Sequence, residues 1–215
     1  MAYQMSAMRT AFATGAPYIA DPQAVDGATE ILLSEEMNAI MRNAVLAFER
    51  GNPAPESGGT SCLLTADADG NAVALVQSIF NVYGAALADP ATGILFNNRM
   101  SGFTHRPERA NSVGPGKRPS HTLCPVMVTK NGAFQYAMAT PGGLSQTLTN
   151  VQVLNHLADC GMDAQEAVDA PRWCNTKKGD FLIENEFPES MVEALAGFGH
   201  KADRKSTRLN SSHRT

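Results

Sequence analysis

The spacing of hydrophobic residues along this chain changes near residue 60, and the change separates a helical part from a strand-rich part. Before it, apolar residues recur at helical intervals, which predicts helices over 2–12 and 34–50. Ser34 is suited to cap the start of the second helix, and Gly51 is suited to stop it. The N-terminal part of the chain is therefore expected to be helical.

After residue 60 the pattern predicts short strands that pair as hairpins, followed mainly by helices. Alternating apolar residues predict strands over 60–66, 72–79, 93–96, 123–129, 133–139 and 181–186. Asp69-Gly70 and Asn131-Gly132 are typical of tight turns between paired strands. Helices are predicted over 144–160 (with Leu148, Val151, Leu154 and Leu157 facing inward), 163–171 and 189–197. Hairpins beside helices, without a regular alternation of strand and helix, favour a layered α+β fold.

Composition restricts the partners of the chain more than its fold. The 215 residues are 43% hydrophobic, which is enough for one large domain with a buried core. The net charge of −4, without a basic stripe, argues against nucleic acid as a partner. No apolar run is long enough to predict a membrane span, and the N-terminus lacks the pattern of a signal peptide.

The cysteines are expected to be structural, and the last residues to lie outside the fold. The four cysteines lack the short spacing of zinc ligands, so we expect structural thiols and no metal site; they are Cys62, Cys124, Cys160 and Cys174. Residues 204–215 are basic and serine-rich with a single apolar residue. We expect them to be a non-native tail, outside the fold.

Thr60 stands at the junction between a flexible stretch and a strand, where a self-cleaving enzyme would cut. Residues 51–59 are rich in Pro, Gly and Ser, and the predicted strand begins at Thr60. Cleavage of the Gly59–Thr60 bond would free an amine with a pKa of about 7.7–8.0, suited to activating the Thr60 hydroxyl. On position alone, an ordinary strand that starts after a loop is the commoner interpretation.

Several short motifs occur together from Thr60 onward. They are Thr60, Asp69-Gly-Asn-Ala-Val73, Gly93-Ile-Leu-Phe-Asn-Asn98, Gly114-Pro-Gly-Lys-Arg-Pro119, Pro141-Gly-Gly143, Gly161-Met162 and Asp169-Ala-Pro-Arg172. In order and spacing they resemble the small subunit of the γ-glutamyltransferases (γ-glutamyltranspeptidases). Tyr18-Ile-Ala-Asp-Pro22 resembles the end of that family's large subunit, so the resemblance covers roughly residues 16–200.

The resemblance implies an N-terminal-nucleophile fold, a four-layer αββα sandwich, which this chain would contain incompletely. It implies a precursor that cuts itself between Gly59 and Thr60. Residues 1–59 would then be the large-subunit end with its linker, and residues 60–203 the small-subunit catalytic part. The remainder of the large subunit would be a partner, and a periplasmic or extracellular location is implied.

The same resemblance implies the reaction and its machinery. An acyl ester would form on Thr60 and be resolved by water or by an amino-acid or peptide amine, with no metal or organic cofactor. Ser78 replaces a threonine that holds the nucleophile by a hydrogen bond, and Gly142–Gly143 would form the oxyanion hole. Ser61 and Cys62 are alternative nucleophiles by residue type, of which Cys62 shares a strand face with Thr60. For Ser78, an ordinary serine on a strand remains the alternative interpretation. For Gly142–Gly143, it is an ordinary turn before a helix.

The residues expected to bind substrate depart from the family pattern. They are Phe80, Asn98, Arg99, Gly102, His121 and Thr122. Phe80, Arg99 and Gly102 replace the asparagine, glutamine and acidic residue that bind the substrate's α-amine in typical members. His121 and Thr122 replace two serines that hold its carboxylate. Arg99 is a cation without acceptors, so in the pocket it would repel an α-ammonium and attract a carboxylate.

The expected function is that of a γ-glutamyltransferase-like enzyme, which hydrolyses or transfers a γ-glutamyl group from glutathione-like amides. Two alternatives remain open. An enzyme of the same scaffold would act on a non-glutamyl acyl amide, for example a dicarboxylic one. A homologue that is never cut would be a non-catalytic binding or structural protein. Turnover of γ-glutamyl and glutaryl anilides distinguishes the expected enzyme from the first alternative. Cleavage before Thr60 distinguishes both enzymes from the non-catalytic homologue.

Overall fold

The computed structural model describes residues 1–46, 60–175 and 180–205, which form helices, hairpins and one mixed sheet. The helices are α1 (Ala2–Gly15), α2 (Ala28–Leu32), α3 (Glu35–Leu46), α4 (Ser145–Ala158), α5 (Ala164–Asp169) and α6 (Glu189–Gly197). The strands are β1 (Thr60–Ala66), β2 (Ala72–Ser78), β3 (Val126–Lys130), β4 (Ala133–Met138), β5 (Trp173–Asn175), β6 (Phe181–Glu184) and β7 (Ala202–Lys205). This mixture of helices and sheets is consistent with the expected α+β class. In the described ranges no helix has the length and apolar content needed to cross a membrane.

Described residues 1–46 and 98–121 belong to one compact unit. Helix α1 packs against α3, and Met5 on the first and Met37 on the second are buried. Helix α3 begins where its sequence predicts, because the Ser34 hydroxyl accepts a hydrogen bond from the Met37 N–H at 3.1 Å. The predicted continuation of this helix to residue 50 lies outside the described residues.

A buried carboxylate ties the N-terminal segment of this unit to its loop. Asp21 accepts hydrogen bonds from the backbone N–H of Arg118 at 2.7 Å and from that of Gln23 at 3.0 Å. The Arg118 guanidinium lies 3.4 Å from Asp21 Oδ1. These hydrogen bonds, the one from the Arg118 backbone foremost, lower the pKa of Asp21 to about 2. The carboxylate is therefore ionised at neutral pH and fixes the loop around Arg118.

Described residues 60–97, 122–175 and 180–205 belong to the second unit. Strands β1 and β2 form one antiparallel hairpin and β3 and β4 another, and β2 lies near β4. Strand β6 is the centre of a three-stranded sheet, antiparallel to β5 and parallel to β7. Helix α4 contacts α5 and β5. The buried apolar residues of this unit include Met138, Leu148, Leu157, Trp173, Phe181, Ile183 and Leu195.

Several local predictions differ from the structure. The predicted strand over 93–96 is wrong, because only an isolated bridge between Ala88 and Leu95 forms there. Val151 was expected to face inward but is 40% exposed. The residues on either side of it in α4, Asn150 and Gln152, are buried instead. Strand β6 ends two residues earlier than predicted. Helix α2 and the short strands β5 and β7 were not predicted from the sequence.

The C-terminal strand includes residues that the sequence placed outside the fold. Arg204 and Lys205 lie in β7, paired with β6. The Arg204 guanidinium donates hydrogen bonds to the backbone carbonyls of Asn185 at 2.8 Å and Phe187 at 2.9 Å. Residues 206–215 lie outside the described residues. The division of the chain at 59/60 and 203/204 remains a prediction.

Candidate active site

The pairing of β1 with β2 places Thr60 opposite Ser78. The Thr60 hydroxyl donates a hydrogen bond to Ser78 Oγ, with 3.0 Å between the two oxygens, and both residues are half-buried. Thr60 is also the first residue of β1, so its backbone nitrogen lies at the start of the strand. The structure therefore brings the expected nucleophile and its expected hydrogen-bond partner into contact.

The hairpin turn explains why this register forms. The Asp67 carboxylate accepts hydrogen bonds from the backbone N–H groups of Asp69 at 3.0 Å and Asn71 at 2.9 Å, and from Asn71 Nδ2 at 2.8 Å. Gly70 has φ 85°, a left-handed conformation that glycine adopts without strain. A turn with fixed length fixes every cross-strand pair beyond it, including Thr60 with Ser78.

Phe80 contacts the same oxygen through its backbone. Its N–H donates to Ser78 Oγ at 3.0 Å, and its φ is 77°, a value that a bulky residue rarely adopts. Strained backbone of this kind occurs often at functional sites. Phe80 is among the residues expected to bind substrate, and its contact with Ser78 is made by its backbone.

The two neighbouring candidate nucleophiles differ from Thr60 in their surroundings. Ser61 is exposed on the other strand face, and Cys62 is half-buried on the face of Thr60. Burial raises the pKa of the Cys62 thiol, which keeps it protonated and weakly nucleophilic at neutral pH. Thr60 therefore remains the best-placed nucleophile of the three.

Gly142 and Gly143 form the turn that leads into α4. Their φ values are 127° and 57°, in the region that favours glycine. Their carbonyl oxygens accept hydrogen bonds from the N–H groups of Ser145 at 3.0 Å and Gln146 at 3.2 Å, so the turn is continuous with the first turn of the helix. The positive end of the helix dipole favours negative charge at this turn. The oxyanion hole at Gly142 and Gly143 stays a prediction.

Helix α4 also holds the segment that follows Thr122. The backbone N–H of Cys124 donates to Gln146 Oε1 at 2.9 Å, and Asn150 Nδ2 donates to the Cys124 carbonyl at 2.8 Å. Sequence reasoning missed both side chains. The available signal was that Gln146 and Asn150 are polar and lie four residues apart on a predicted helix. This spacing places them on one face of the helix but does not identify Cys124 as their partner.

The other expected substrate residues belong to the first unit. Asn98 immediately precedes a 3₁₀ turn over Arg99–Gly102, and its carbonyl accepts a hydrogen bond from Ser101 Oγ at 2.8 Å. Arg99 is buried, with 8% of its surface exposed, and this burial lowers its pKa. His121 is mostly exposed. Its pKa is lowered, mainly because part of the side chain is buried and secondly because of the positive charge of Arg99.

Asn111 fixes the loop between Gly102 and His121. Its Nδ2 donates to the Gly102 carbonyl at 2.7 Å and to Ser120 Oγ at 3.3 Å, and its Oδ1 accepts from the Ser120 N–H at 3.0 Å. This side chain was not singled out from the sequence. It joins the two ends of the loop that carries Arg99 and His121.

The structure thus forms three groups of the expected residues. They are Thr60 with Ser78 and the Phe80 backbone, the turn at Gly142 and Gly143, and Arg99 with His121. Gly59 lies outside the described residues. In the described ranges no three His, Cys, Asp or Glu side chains are arranged to hold a metal ion.

Residues 1–214 match the family model described as Gamma-glutamyltranspeptidase. The Acylase ACY 1 proenzyme of Pseudomonas sp. (strain V22) is 37% identical over 205 residues, which are 92% of this chain and 36% of that protein. The Glutathione hydrolase proenzyme of Pseudomonas sp. (strain A14) is 32% identical over 189 residues, which are 80% of this chain and 33% of that protein. The chain spans about a third of the length of these curated relatives.

Solved structures show the same likeness. The cephalosporin acylase from Bacillus halodurans matches with a TM-score of 0.83 and 34% identity over 95% of this chain and 38% of that chain. A mutant gamma-glutamyltranspeptidase from Helicobacter pylori matches with a TM-score of 0.63 and 29% identity over 68% of this chain and 86% of that chain. Both acylases and transpeptidases therefore share the fold of this chain.

Proposed function

Because the chain belongs to the gamma-glutamyltranspeptidase family of N-terminal-nucleophile hydrolases, we propose that it carries the threonine nucleophile of a self-cleaving amide hydrolase or acyl transferase. The contact between Thr60 and Ser78, 3.0 Å from oxygen to oxygen at the first residue of β1, is the main support. An ordinary strand start does not require a second hydroxyl there. The relatives named as proenzymes support a precursor that is processed.

In the proposed reaction Thr60 is both nucleophile and base. Its free amine, directly or through one water, takes the proton of Oγ as Oγ attacks the amide carbonyl carbon. The N–H groups of Gly142 and Gly143 stabilise the resulting oxyanion. The carbon–nitrogen bond then breaks, the proton passes to the leaving amine, and an ester remains on Thr60. Water or an acceptor amine then attacks the ester carbon and gives a proton to the Thr60 amine. The bond between that carbon and Oγ breaks, the proton passes from the amine to Oγ, and the acyl group leaves as an acid or a new amide.

The rest of the precursor is part of the proposal. The remainder of a large subunit from the same polypeptide is the proposed protein partner, and αββα layering is the proposed arrangement of the whole protein. The proposed first substrates are γ-glutamyl amides such as glutathione, with water or an amino-acid or peptide amine as acceptor. The likeness to a Glutathione hydrolase proenzyme supports this donor.

The buried cation at Arg99 favours a second candidate donor. An α-ammonium needs hydrogen-bond acceptors, and a guanidinium provides only donors. Since Arg99 stands at a family position that recognises the donor's α-amine, a dicarboxylic acyl amide such as a glutaryl amide would suit it better. The likeness to an Acylase ACY 1 proenzyme supports this candidate. Comparing kcat/KM for γ-glutamyl and glutaryl anilides distinguishes the two donors.

The deciding experiment is to follow cleavage of the whole precursor. We expect denaturing electrophoresis to show two subunits, and mass spectrometry to find a new N-terminus at Thr60. Thr60→Ala should abolish both cleavage and turnover, while Thr60→Ser should retain some of each because it keeps the hydroxyl. A single intact band from the wild-type precursor would contradict the proposal, and would indicate the non-catalytic homologue instead.

A further inference from the structure

Two buried amides on α4 capture both backbone groups of one residue. Gln146 Oε1 accepts from the Cys124 N–H at 2.9 Å, and Asn150 Nδ2 donates to the Cys124 carbonyl at 2.8 Å. Gln146 is 0% exposed and Asn150 is 6% exposed. Residues four apart lie on the same helix face, so the two amides act on Cys124 together.

Burial of these amides is hard to explain by packing alone. Apolar side chains would fill the same face of α4 without the need to satisfy polar groups. The clamp, which we define as Gln146 and Asn150 with the Cys124 backbone, instead gives α4 a directional hold on an irregular segment. A segment of this kind has no ladder of its own to set its position.

The clamp connects two parts of the candidate site. Thr122 lies two residues before Cys124, and the turn at Gly142 and Gly143 runs directly into α4. One rigid helix therefore carries the glycine turn at its start and holds the Thr122 segment one turn further along. The separation between the two is set through α4.

We propose that Gln146 and Asn150 are positioning residues for donor recognition, which act by fixing Thr122 relative to the glycine turn. The inference rests on the proposed function, in which the glycines stabilise the oxyanion, and on the sequence-based expectation that Thr122 binds the acyl donor. Loss of the clamp displaces Thr122 and weakens donor binding. The nucleophile and the glycine turn remain in place, so KM rises while kcat per active site changes little.

Helix α4 supplies a matched control in Gln152. This amide is also buried, at 5% exposed, and it also bridges a backbone N–H and a carbonyl, those of Trp173, at 3.0 and 2.9 Å. Trp173 begins β5 and is not among the candidate site residues. Gln152 Nε2 also donates to the Leu148 carbonyl at 3.0 Å. Replacing Gln152 therefore removes buried amide hydrogen bonds from the same helix at a place remote in sequence from Thr122.

The experiment compares Gln146→Met and Gln152→Met in the whole precursor. Self-cleavage, melting temperature, titrated active sites, KM and kcat are measured with a γ-glutamyl and a glutaryl anilide. We expect Gln152→Met to lower the melting temperature at least as far as Gln146→Met, because Gln152 bonds both backbone groups of Trp173 and the Leu148 carbonyl, whereas Gln146 bonds Cys124 through one atom. Only Gln146→Met should raise the KM of the better donor, by about tenfold, which is about 1.4 kcal/mol of donor binding lost through the displacement of Thr122.

A second pair of variants keeps the test decisive if Gln146→Met does not fold. Gln146→Glu and Asn150→Asp preserve side-chain volume and add the same carboxyl group, but only the first keeps the atom that contacts Cys124. KM should rise further in Asn150→Asp than in Gln146→Glu. In a Thr122→Ala background, either substitution should add little to KM, because the group that the clamp positions is already absent.

Three results separate the possible failures. The positioning role of the clamp would be overturned if both variants were cleaved and active with the KM of the wild type. That result would leave the proposed function intact. A similar rise of KM in Gln152→Met would show a general effect of helix stability and would also overturn the positioning role. Turnover that persists in Thr60→Ala would contradict the proposed function itself.

Discussion

Thr60 Oγ and Ser78 Oγ lie 3.0 Å apart, and the same Ser78 oxygen accepts the Phe80 N–H at 3.0 Å. An N–H group only donates, so the bond to Phe80 commits one lone pair of Ser78. The Ser78 hydrogen remains able to rotate toward Thr60 once Thr60 gives up its own proton. Ser78 is therefore suited to stabilise the Thr60 oxygen in the proposed reaction, in which Thr60 is the nucleophile.

Removing the Ser78 hydroxyl should slow the reaction more than it weakens substrate binding. We expect Ser78→Ala to lower kcat by about 5- to 30-fold, equivalent to about 1–2 kcal/mol for one hydrogen bond to the reacting group. Ser78→Thr should retain most of the activity, because it keeps the hydroxyl. Steady-state kinetics of the cleaved enzyme measure both. A Ser78→Ala enzyme with unchanged kcat would contradict this role.

The charge at Arg99 should select between donors. We expect Arg99→Gln to reduce kcat/KM for a glutaryl anilide by about 10- to 150-fold and to leave the value for a γ-glutamyl anilide unchanged or higher, because the glutamine offers an acceptor. The magnitude corresponds to one charge-assisted hydrogen bond of about 1.5–3 kcal/mol. Arg106→Gln, which removes an exposed arginine from the same segment, is the control. Equal losses for the two donors would show that Arg99 does not discriminate.

The same substitution should change the titration of His121. Partial burial, and after it the charge of Arg99, hold the pKa of His121 below 6.5. Without the Arg99 charge the protonated imidazole is less disfavoured, so the pKa should rise in Arg99→Gln. Nuclear magnetic resonance titration of the ring protons measures the change. Arg106→Gln should leave the His121 titration as it is in the wild type, and an unchanged pKa in Arg99→Gln would rule out the coupling.

Two glycines with similar backbones should respond differently to a methyl group. Gly84 has φ 54° and Gly93 has φ 71°. A Cβ at Gly84 would overlap the carbonyl of Phe96, whereas a Cβ at Gly93 has no neighbour within 4 Å. We expect Gly93→Ala to lower the free energy of unfolding by about 1–2 kcal/mol, and Gly84→Ala by about 2–5 kcal/mol. Similar values in denaturant unfolding would exclude the steric difference.

The Asp21 carboxylate should make stability depend on acid. Its pKa is 3.8 when unperturbed and about 2 in the folded protein, so the unfolded chain binds the proton more readily. The stabilisation is complete above about pH 4 and is lost as the pH falls from about 4 to 2. Asp21→Asn should flatten this part of the stability curve, measured as urea midpoints. Asp26→Asn, at an exposed position, should leave the curve unchanged.

Local sequence signals predicted those parts of the fold that depend on local contacts. The hairpin turn at Asp69-Gly70 and the alternation on each side of it specify β1 and β2, and so the Thr60–Ser78 pair. The reciprocal bonds of Asp163 and Glu166, at 2.8 and 3.0 Å, start α5 as the sequence predicted. Each of these features needs only residues that are near one another in the chain.

Long-range partners account for what the sequence did not show. Strand β7 has a polar sequence, and its pairing with β6 depends on packing that no local pattern reports. Residues 93–96 have the composition of a strand but form only one isolated bridge, because composition does not supply a partner strand. The bond from Arg118 to Asp21 joins residues 97 positions apart. The hold of Gln146 on Cys124 likewise depends on which segment happens to lie beside α4.

The turn between β3 and β4 offers a practical route to these measurements. Asn131 and Gly132 have φ values of 53° and 80° and are both exposed, a geometry typical of a tight hairpin loop. Exposed loop tips tolerate inserted sequence well. A short epitope or a fluorophore attached at this position would report on subunit release and local motion without occupying either chain end.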